Sequence, residues 1–223
     1  MEDRRKFLWI LVALLILLCG LLVWSELFRN SNTFETGKPP PGVQLALPDP
    51  TSPGVRPNDQ ARGSSDSGAV TIVEFADFSC VYCRASEPEL RQILLENKGS
   101  VRHVWRDMPV ASESPTGMVA AVAGRCAVEQ GRFWDLHDLM MSSPSLTLDS
   151  IKEMGRSLKL GQLAFEDCLT SGRHVQDIQD DVAIAQDHGM TGAPTFFIGK
   201  QVLTGYVTAA DLRWALLKAK LGY

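Results

Sequence analysis

The most constraining feature of the sequence is a short apolar segment that leads directly into two closely spaced cysteines. Val70–Phe75 is rich in β-branched and aromatic residues, which predicts a buried central strand. A helix is predicted to begin near Cys80, with Cys83 in its first turn. A buried strand followed at once by a helix is typical of an α/β domain.

The later segments extend this prediction. A second strand is expected at Val101–Arg106, and a mainly helical insertion at about 112–188. Thr195–Ile198 and Gln201–Leu203 flank Gly-Lys and predict a β-hairpin, and a last helix is expected after Thr208. The order strand, helix, strand, helical insertion, hairpin and helix predicts a mixed sheet.

The N-terminus carries a predicted transmembrane anchor at residues 7–24. This run of 18 uncharged residues extends about 27 Å as a helix, close to a hydrocarbon thickness of about 30 Å. The cations at 4–6 predict that residues 1–6 are cytoplasmic and that the rest of the chain is extracytoplasmic. Two alternatives fit less well: no A-x-A-like cleavage site follows the run, and Leu18 precedes Cys19 where a lipoprotein signal requires a small residue.

Residues 25–67 are rich in proline, glycine and serine, which predicts an extended tether, and the folded domain is expected at 68–223. The net charge of -4 provides no basic surface, so nucleic-acid binding is not expected.

The pair Cys80 and Cys83 is predicted to be redox active. At a helix N-terminus the unpaired N–H groups favour a thiolate, so Cys80 is the expected nucleophile and Cys83 the resolving thiol. The alternative is half of a zinc site, which needs a second pair at similar spacing. Cys126 and Cys168 lie too far apart in the sequence to supply that pair, so no metal is predicted. An even number of four extracytoplasmic cysteines indicates two disulfides.

Glu74 is predicted to be a catalytic acid and base. It lies in the apolar strand six residues before Cys80, and burying a carboxyl group there costs free energy unless it has a role. The functional interpretation is proton exchange with Cys83. The alternative is a carboxylate that reaches solvent at the strand end.

The remaining polar residues have simpler interpretations. The histidines lack the spacing of a metal site. They are expected to lie at the surface or in the core with hydrogen-bond partners, and they are His103, His137, His174 and His188. The acidic run Asp177, Asp180 and Asp181 is expected to be a solvated face.

The segments Ile72–Cys83 and Gly192–Phe197 resemble the active-site strand and helix and the cis-proline loop of the DsbA-like thioredoxin family. The likeness covers roughly residues 55–221 and implies a thioredoxin fold with a helical insertion. It also implies a cis Ala193–Pro194 bond facing Cys80, with the Ala193 backbone available to a substrate strand.

The same resemblance implies a structural disulfide between Cys126 and Cys168, because some family members carry a second disulfide in the insertion. Two buried free thiols are the alternative. The dipeptide Val81-Tyr82 departs from the family, since it has neither the common proline nor the histidine of strongly oxidising members. The direction of electron flow therefore stays open.

The predicted anchor indicates a single-pass protein of the inner cell membrane. The resemblance implies that this protein donates its Cys80–Cys83 disulfide to reduced exported proteins. Its expected partner is a membrane quinone-linked reoxidase of the DsbB or vitamin K epoxide reductase type, and no cofactor is expected. The alternatives are an isomerase or reductase kept reduced by a membrane electron donor, and a non-catalytic tethered binding or chaperone module.

Overall fold

The computed structural model describes residues 53–110 and 115–223. The predicted anchor at 7–24 and most of the predicted tether lie outside these ranges. None of the helices within them is long and apolar enough to cross a bilayer.

A five-stranded mixed sheet is the centre of the domain. Its strands are β1 Gln60–Gly63, β2 Val70–Ala76, β3 Val101–Asp107, β4 Thr195–Ile198 and β5 Gln201–Thr204. Their order across the sheet is β1-β3-β2-β4-β5, in which β2 and β3 are parallel and every other neighbouring pair is antiparallel. The predicted strands, hairpin and mixed sheet are therefore present.

Seven helices surround the sheet in the described ranges. They are α1 Val81–Glu96, α2 Pro115–Val128, α3 Phe133–Ser142, α4 Leu148–Ser157, α5 Gln162–Ser171, α6 Val175–Asp187 and α7 Ala209–Lys220. Helices α2 to α6 form the predicted insertion. Helix α5 packs Phe165 and Cys168 into the core, whereas its Leu163 is 89% exposed.

The alternation of side chains along β2 divides the core into layers. Ile72 packs on one face with residues of α1 and α7, such as Leu90 and Leu212. Val73 and Phe75 point to the opposite face. Since side chains on a strand alternate between faces, Glu74 lies on the same face as Ile72, the face that α1 covers.

Strand β1 corrects the predicted limits of the tether. It lies within 25–67, yet it pairs antiparallel with β3 through the register Arg62↔His103. Ser64 is also buried and donates from its hydroxyl to the carbonyl of Gly99. Four residues are too short for a reliable strand pattern, so only the partner strand reveals that the folded domain begins before residue 68.

The prediction of a solvated acidic face is wrong for Asp181. This residue of α6 is 0% exposed and accepts hydrogen bonds from the side chains of Arg56, Arg106 and Arg125. The backbone N–H of Asp107 donates to it as well. The acid is buried because three guanidinium groups compensate its charge, and these come from distant parts of the chain.

Candidate active site

The two redox cysteines lie where β2 passes into α1. Cys80 is the N-cap of α1, and its sulfur accepts the backbone N–H of Cys83 with an N–Sγ distance of 3.4 Å. Both cysteines are free thiols here and both are buried. The sulfur of Cys83 accepts the backbone N–H of Asp77 at 3.5 Å. The helix begins at Val81, one residue after the nucleophile, so Cys80 faces the unpaired N–H groups of the first turn.

These contacts make the two thiols chemically different. Hydrogen bonding by the Cys83 side chain, helped by the backbone N–H groups of Cys83 and Tyr82, lowers the pKa of Cys80 to about 7 against the opposing effect of burial. Burial raises the pKa of Cys83 well above its usual value, and the hydrogen bond to Cys80 raises it further. Cys80 is therefore the group that carries a thiolate near neutral pH, and Cys83 keeps its proton.

The loop before β4 lies against the nucleophile. The Ala193–Pro194 bond is cis, and the thiol of Cys80 donates to the carbonyl oxygen of Ala193 at 3.3 Å. The carbonyl of Pro194 accepts the N–H of Gly205, which ties this loop to the chain after β5. The structure thus brings together Cys80, Ala193 and Pro194, three residues singled out in the sequence from two motifs.

Glu74 lies in the interior beneath the active-site helix. It is 1% exposed, and its Oε2 is 2.8 Å from Nε2 of His103 on β3, which is 0% exposed. Burial raises the pKa of Glu74 to about 8, although the charge of Arg62 acts in the opposite direction. Burial also lowers the pKa of His103 to about 3, so the imidazole is neutral at physiological pH. The charge of Glu74 contributes to the raised pKa of Cys83, which indicates that the two groups are close.

Asp77 is a buried polar residue of the site to which the sequence analysis assigned no role. Its Oδ1 accepts from the backbone N–H and the hydroxyl of Ser79, and its Oδ2 accepts the N–H of Val110. A Cβ at Gly117 would lie 2.7 Å from Asp77 Oδ2, so a glycine is required on α2 at this point. Asp77 thereby holds the turn that presents Cys80. The sequence signal that could have indicated this role is the position of Asp77 between the strand residue Phe75 and the nucleophile Cys80.

The second cysteine pair lies in the helical insertion. Cys126 on α2 and Cys168 on α5 form a disulfide with a sequence separation of 42 residues. Closing a loop of this length stabilises a fold by about 4 kcal/mol on the chain-entropy model. Both residues are buried in the same apolar core as Phe165.

Two groups of side chains in the described ranges have the spacing of metal ligands. In the first, Glu129, Cys168 and His174, the sulfur is already committed to the disulfide. In the second, Glu87, His137 and Asp138, the guanidinium of Arg62 bonds both carboxylates at 2.7 and 2.8 Å. One oxygen of each acid in the second group thus already has a cationic partner, whereas Glu87 Oε2 and His137 Nε2 have no hydrogen-bond partner among the described residues.

Comparison with known proteins agrees with this geometry. The family model described as Thioredoxin matches residues 56–218. A thioredoxin-like oxidoreductase from Silicibacter pomeroyi has a TM-score of 0.69 and 25% identity, covering 75% of this chain and 95% of that one. The thiol-disulfide exchange protein alpha-DsbA2 from Wolbachia pipientis has a TM-score of 0.62 and 20% identity, covering 70% and 84%.

A relative in sequence is larger. The Na(+)/H(+) antiporter NhaA 3 of Salinispora tropica is 37% identical over 162 residues, which is 72% of this chain. The chain spans 24% of the length of that relative. The family model covers nearly all of the described domain, so this chain belongs to the thioredoxin family, and it shares its fold with solved thioredoxin-like and DsbA proteins.

Proposed function

We propose that the protein forms disulfides in exported proteins by donating the oxidised Cys80–Cys83 pair to their thiols. The contact that carries this proposal is the position of Cys80 at the N-cap of α1, with its sulfur next to the Ala193 carbonyl. A sulfur in this place is stabilised as a thiolate, which makes it a good leaving group in the step that closes the substrate disulfide. The neighbouring Val81 and Tyr82 are more than half exposed and provide an apolar surface for a polypeptide substrate.

The reaction proceeds by two exchanges. A substrate thiolate attacks Sγ of Cys80 in the Cys80–Cys83 disulfide, and Cys83 leaves with the electron pair. A second substrate thiolate then attacks the substrate sulfur of this mixed disulfide, and Cys80 leaves as a thiolate. The substrate has lost two electrons and gained a disulfide, and both cysteines of the protein are reduced.

Glu74 supplies and removes the proton of Cys83 in this scheme. Because the pKa of Cys83 is raised well above its usual value, its sulfur takes up a proton when it leaves. With a pKa of about 8, Glu74 is mostly protonated at neutral pH and can donate that proton. In the reverse direction its carboxylate accepts the proton as Cys83 attacks.

The proposed setting is the outer face of the inner cell membrane. The apolar run at 7–24 anchors the chain and the proline-rich segment after it holds the domain away from the bilayer. A quinone-linked membrane reoxidase, of the DsbB or vitamin K epoxide reductase type, then removes two electrons and restores the disulfide.

A trapping experiment tests the exchange itself. The Cys83→Ala variant lacks the resolving thiol, so we expect it to accumulate mixed disulfides between Cys80 and exported proteins, visible as bands that a reductant removes. The control variant Cys80→Ala keeps only the thiol of Cys83 and is expected to form no mixed disulfides. If the Cys83→Ala variant forms no mixed disulfides in the oxidising compartment, the proposed function is wrong.

A second candidate is a reductase or isomerase kept reduced by a membrane electron donor. The pKa of about 7 for Cys80 favours it, because it is close to that of thioredoxin (about 7) and far above that of DsbA (about 3.5). A less stabilised thiolate gives a less oxidising disulfide. Equilibration with glutathione buffers measures the reduction potential of the Cys80–Cys83 pair and decides between the two functions. A reduction potential nearer about −120 mV supports the oxidase, and one nearer about −270 mV supports the reductase.

A further inference from the structure

A polar network connects the buried pair Glu74 and His103 to the edge strand β1. The Nε–H of Arg62 donates to Nδ1 of His103 with a distance of 3.2 Å. On the other side of the same ring, Nε2 of His103 is 2.8 Å from Oε2 of Glu74. The antiparallel register places Arg62 directly opposite His103. The imidazole therefore has one partner at each nitrogen.

The identity of the two partners determines where the imidazole proton lies. An arginine guanidinium has only donors and does not lose a proton in proteins, so Nδ1 of His103 must accept. A neutral imidazole has one N–H, which must then be on Nε2 and must point at Oε2 of Glu74. Since Oε2 accepts this bond, the acid proton of neutral Glu74 is carried by Oε1.

Arg62 is itself held by three groups from two helices. Its Nη2 donates to Oε1 of Glu87 on α1 at 2.7 Å, and its Nη1 donates to Oδ1 of Asp138 on α3 at 2.8 Å. Its guanidinium carbon also lies 4.3 Å from the ring centre of Trp134. With three fixed contacts the guanidinium is oriented before it meets the imidazole of His103, which it can therefore hold in one tautomer.

We propose that Arg62 and His103 are positioning residues of the active site, which assign the exchangeable proton of Glu74 to Oε1 through the Nε2–H tautomer of His103. The proposal deepens the function proposed above and rests on proton exchange between Glu74 and Cys83. In that step the S–H proton of Cys83 passes to Oε1, the Cys83 sulfur attacks Sγ of Cys80 in a mixed disulfide, and the substrate thiolate leaves.

Several charged or titratable groups face the pair from the neighbouring elements. They are Arg62 from β1, Cys83 and Glu87 from α1, and His137 and Asp138 from α3, while β4 contributes the apolar Phe196 opposite Glu74. Of these, only Arg62 bonds His103 directly.

The first test reads the tautomer directly and needs no activity. Nitrogen-15 NMR of the wild-type protein at about pH 8, where an ordinary histidine is neutral, is expected to show a protonated Nε2 and an unprotonated Nδ1 for His103. His188 is an internal reference of the opposite kind, because its Nδ1 lies 2.9 Å from the carbonyl oxygen of Ile184 and must donate to it. A proton on Nδ1 of His103 overturns the proposal.

The second test compares two substitutions of His103. In His103→Gln the amide oxygen can accept from Arg62 and the amide N–H can donate to Glu74, whereas His103→Leu can do neither. A hydrogen bond to a charged group is worth enough to slow the attack of Cys83 on a Cys80–glutathione mixed disulfide by about ten- to a hundredfold in His103→Leu, while His103→Gln stays within about threefold of wild type. Equal rates in the two variants contradict the proposal.

A matched pair of arginine variants separates positioning from general charge loss. Arg91 also contacts Glu87 and Asp138, at 3.5 and 3.1 Å, but it does not contact His103. Arg62→Met is expected to slow the attack of Cys83 and to leave His103 without a single fixed tautomer. Arg91→Met is expected to change neither the rate nor the tautomer. If both variants slow the step equally, the proposal is wrong.

These measurements keep the two hypotheses apart. If the Cys83→Ala variant forms no mixed disulfide, the proposed function fails, and the NMR result on the wild-type protein still decides how His103 holds Glu74. If exchange occurs but the tautomer or the variant rates differ from the expectation, only the positioning role of Arg62 and His103 fails.

Discussion

Two buried carboxylates of this protein have opposite surroundings. Asp181 accepts from three arginine side chains and a backbone N–H, whereas Glu74 bonds the neutral imidazole of His103. Both are almost completely shielded from solvent. An acid bonded by several arginines ties together the chain segments that carry them. An acid beside a neutral partner can gain or lose its proton within the physiological range, which is what proton exchange with Cys83 requires.

The largest expected effect comes from removing the charge of Asp181. The substitution Asp181→Asn keeps the shape but removes the counter-ion that the buried Arg106 shares with the partly buried Arg125. Arg106 then keeps only Asp59 as an acidic partner, and Arg125 keeps only Asp107. We expect a loss of about 3 kcal/mol in the free energy of unfolding, measured by urea denaturation of the oxidised protein, because breaking a buried ion pair costs about 3–5 kcal/mol. The exchange rate of the folded variant is expected to be unchanged. Unaltered stability contradicts the structural role of Asp181.

The substitution Glu74→Gln is expected to increase the free energy of unfolding, which is the opposite of the effect of Asp181→Asn. The pKa of Glu74 in the folded protein is about 8, above its unfolded value of 4.5. Its stabilising contribution is therefore complete below the unfolded pKa and is lost as the pH rises through the folded pKa. The variant escapes this loss, so relative to wild type it gains stability on the order of 3 kcal/mol between about pH 5 and pH 9.

The same variant is expected to exchange disulfides at least about a hundredfold more slowly, since general acid–base catalysis contributes about that much. Urea titrations at several pH values and stopped-flow exchange measurements check the two effects. A pH-independent difference in stability, or an unchanged rate, means that Glu74 resembles Asp181 and is structural.

The smallest expected effect is a shift in the pKa of the nucleophile Cys80. Alkylation of the reduced protein is expected to rise with an inflection near pH 7, the pKa of Cys80. In Cys83→Ala the inflection moves to higher pH, because the hydrogen bond from the Cys83 side chain is the largest contribution that lowers the pKa. Cys80→Ala is the control and loses the fast reaction. An inflection that does not move shows that the helix N-terminus alone sets the pKa of Cys80.

Much of the site was predictable because its residues lie in short, local patterns. The strand β2, the start of α1 and the hairpin β4–β5 follow from apolar alternation and turn residues, and they contain Glu74, Cys80 and Cys83. The approach of Pro194 to Cys80 was expected only from the family resemblance, because the two are separated by more than a hundred residues.

Other parts were not predictable from local patterns. Arg62 lies in a segment that the sequence predicts to be a tether, and Asp181 lies in an acidic run that is typical of a surface. Helix α5 has Gly161 at its N-cap and no side-chain hydrogen bond there, so its start lacks a local signal. In each case the deciding partner lies far away along the chain.

The sequence by itself determined the fold class, the identity of the redox pair and the presence of an acid in the strand that leads to it. These properties depend on neighbouring residues, through helix start signals and side-chain alternation. Only the tertiary structure decided that His103 is the partner of Glu74, that Arg62 is the partner of His103 and that Asp181 is an internal anchor. The physical reason is that a buried charge or hydrogen bond is satisfied by groups that the fold brings together, whatever their separation along the chain.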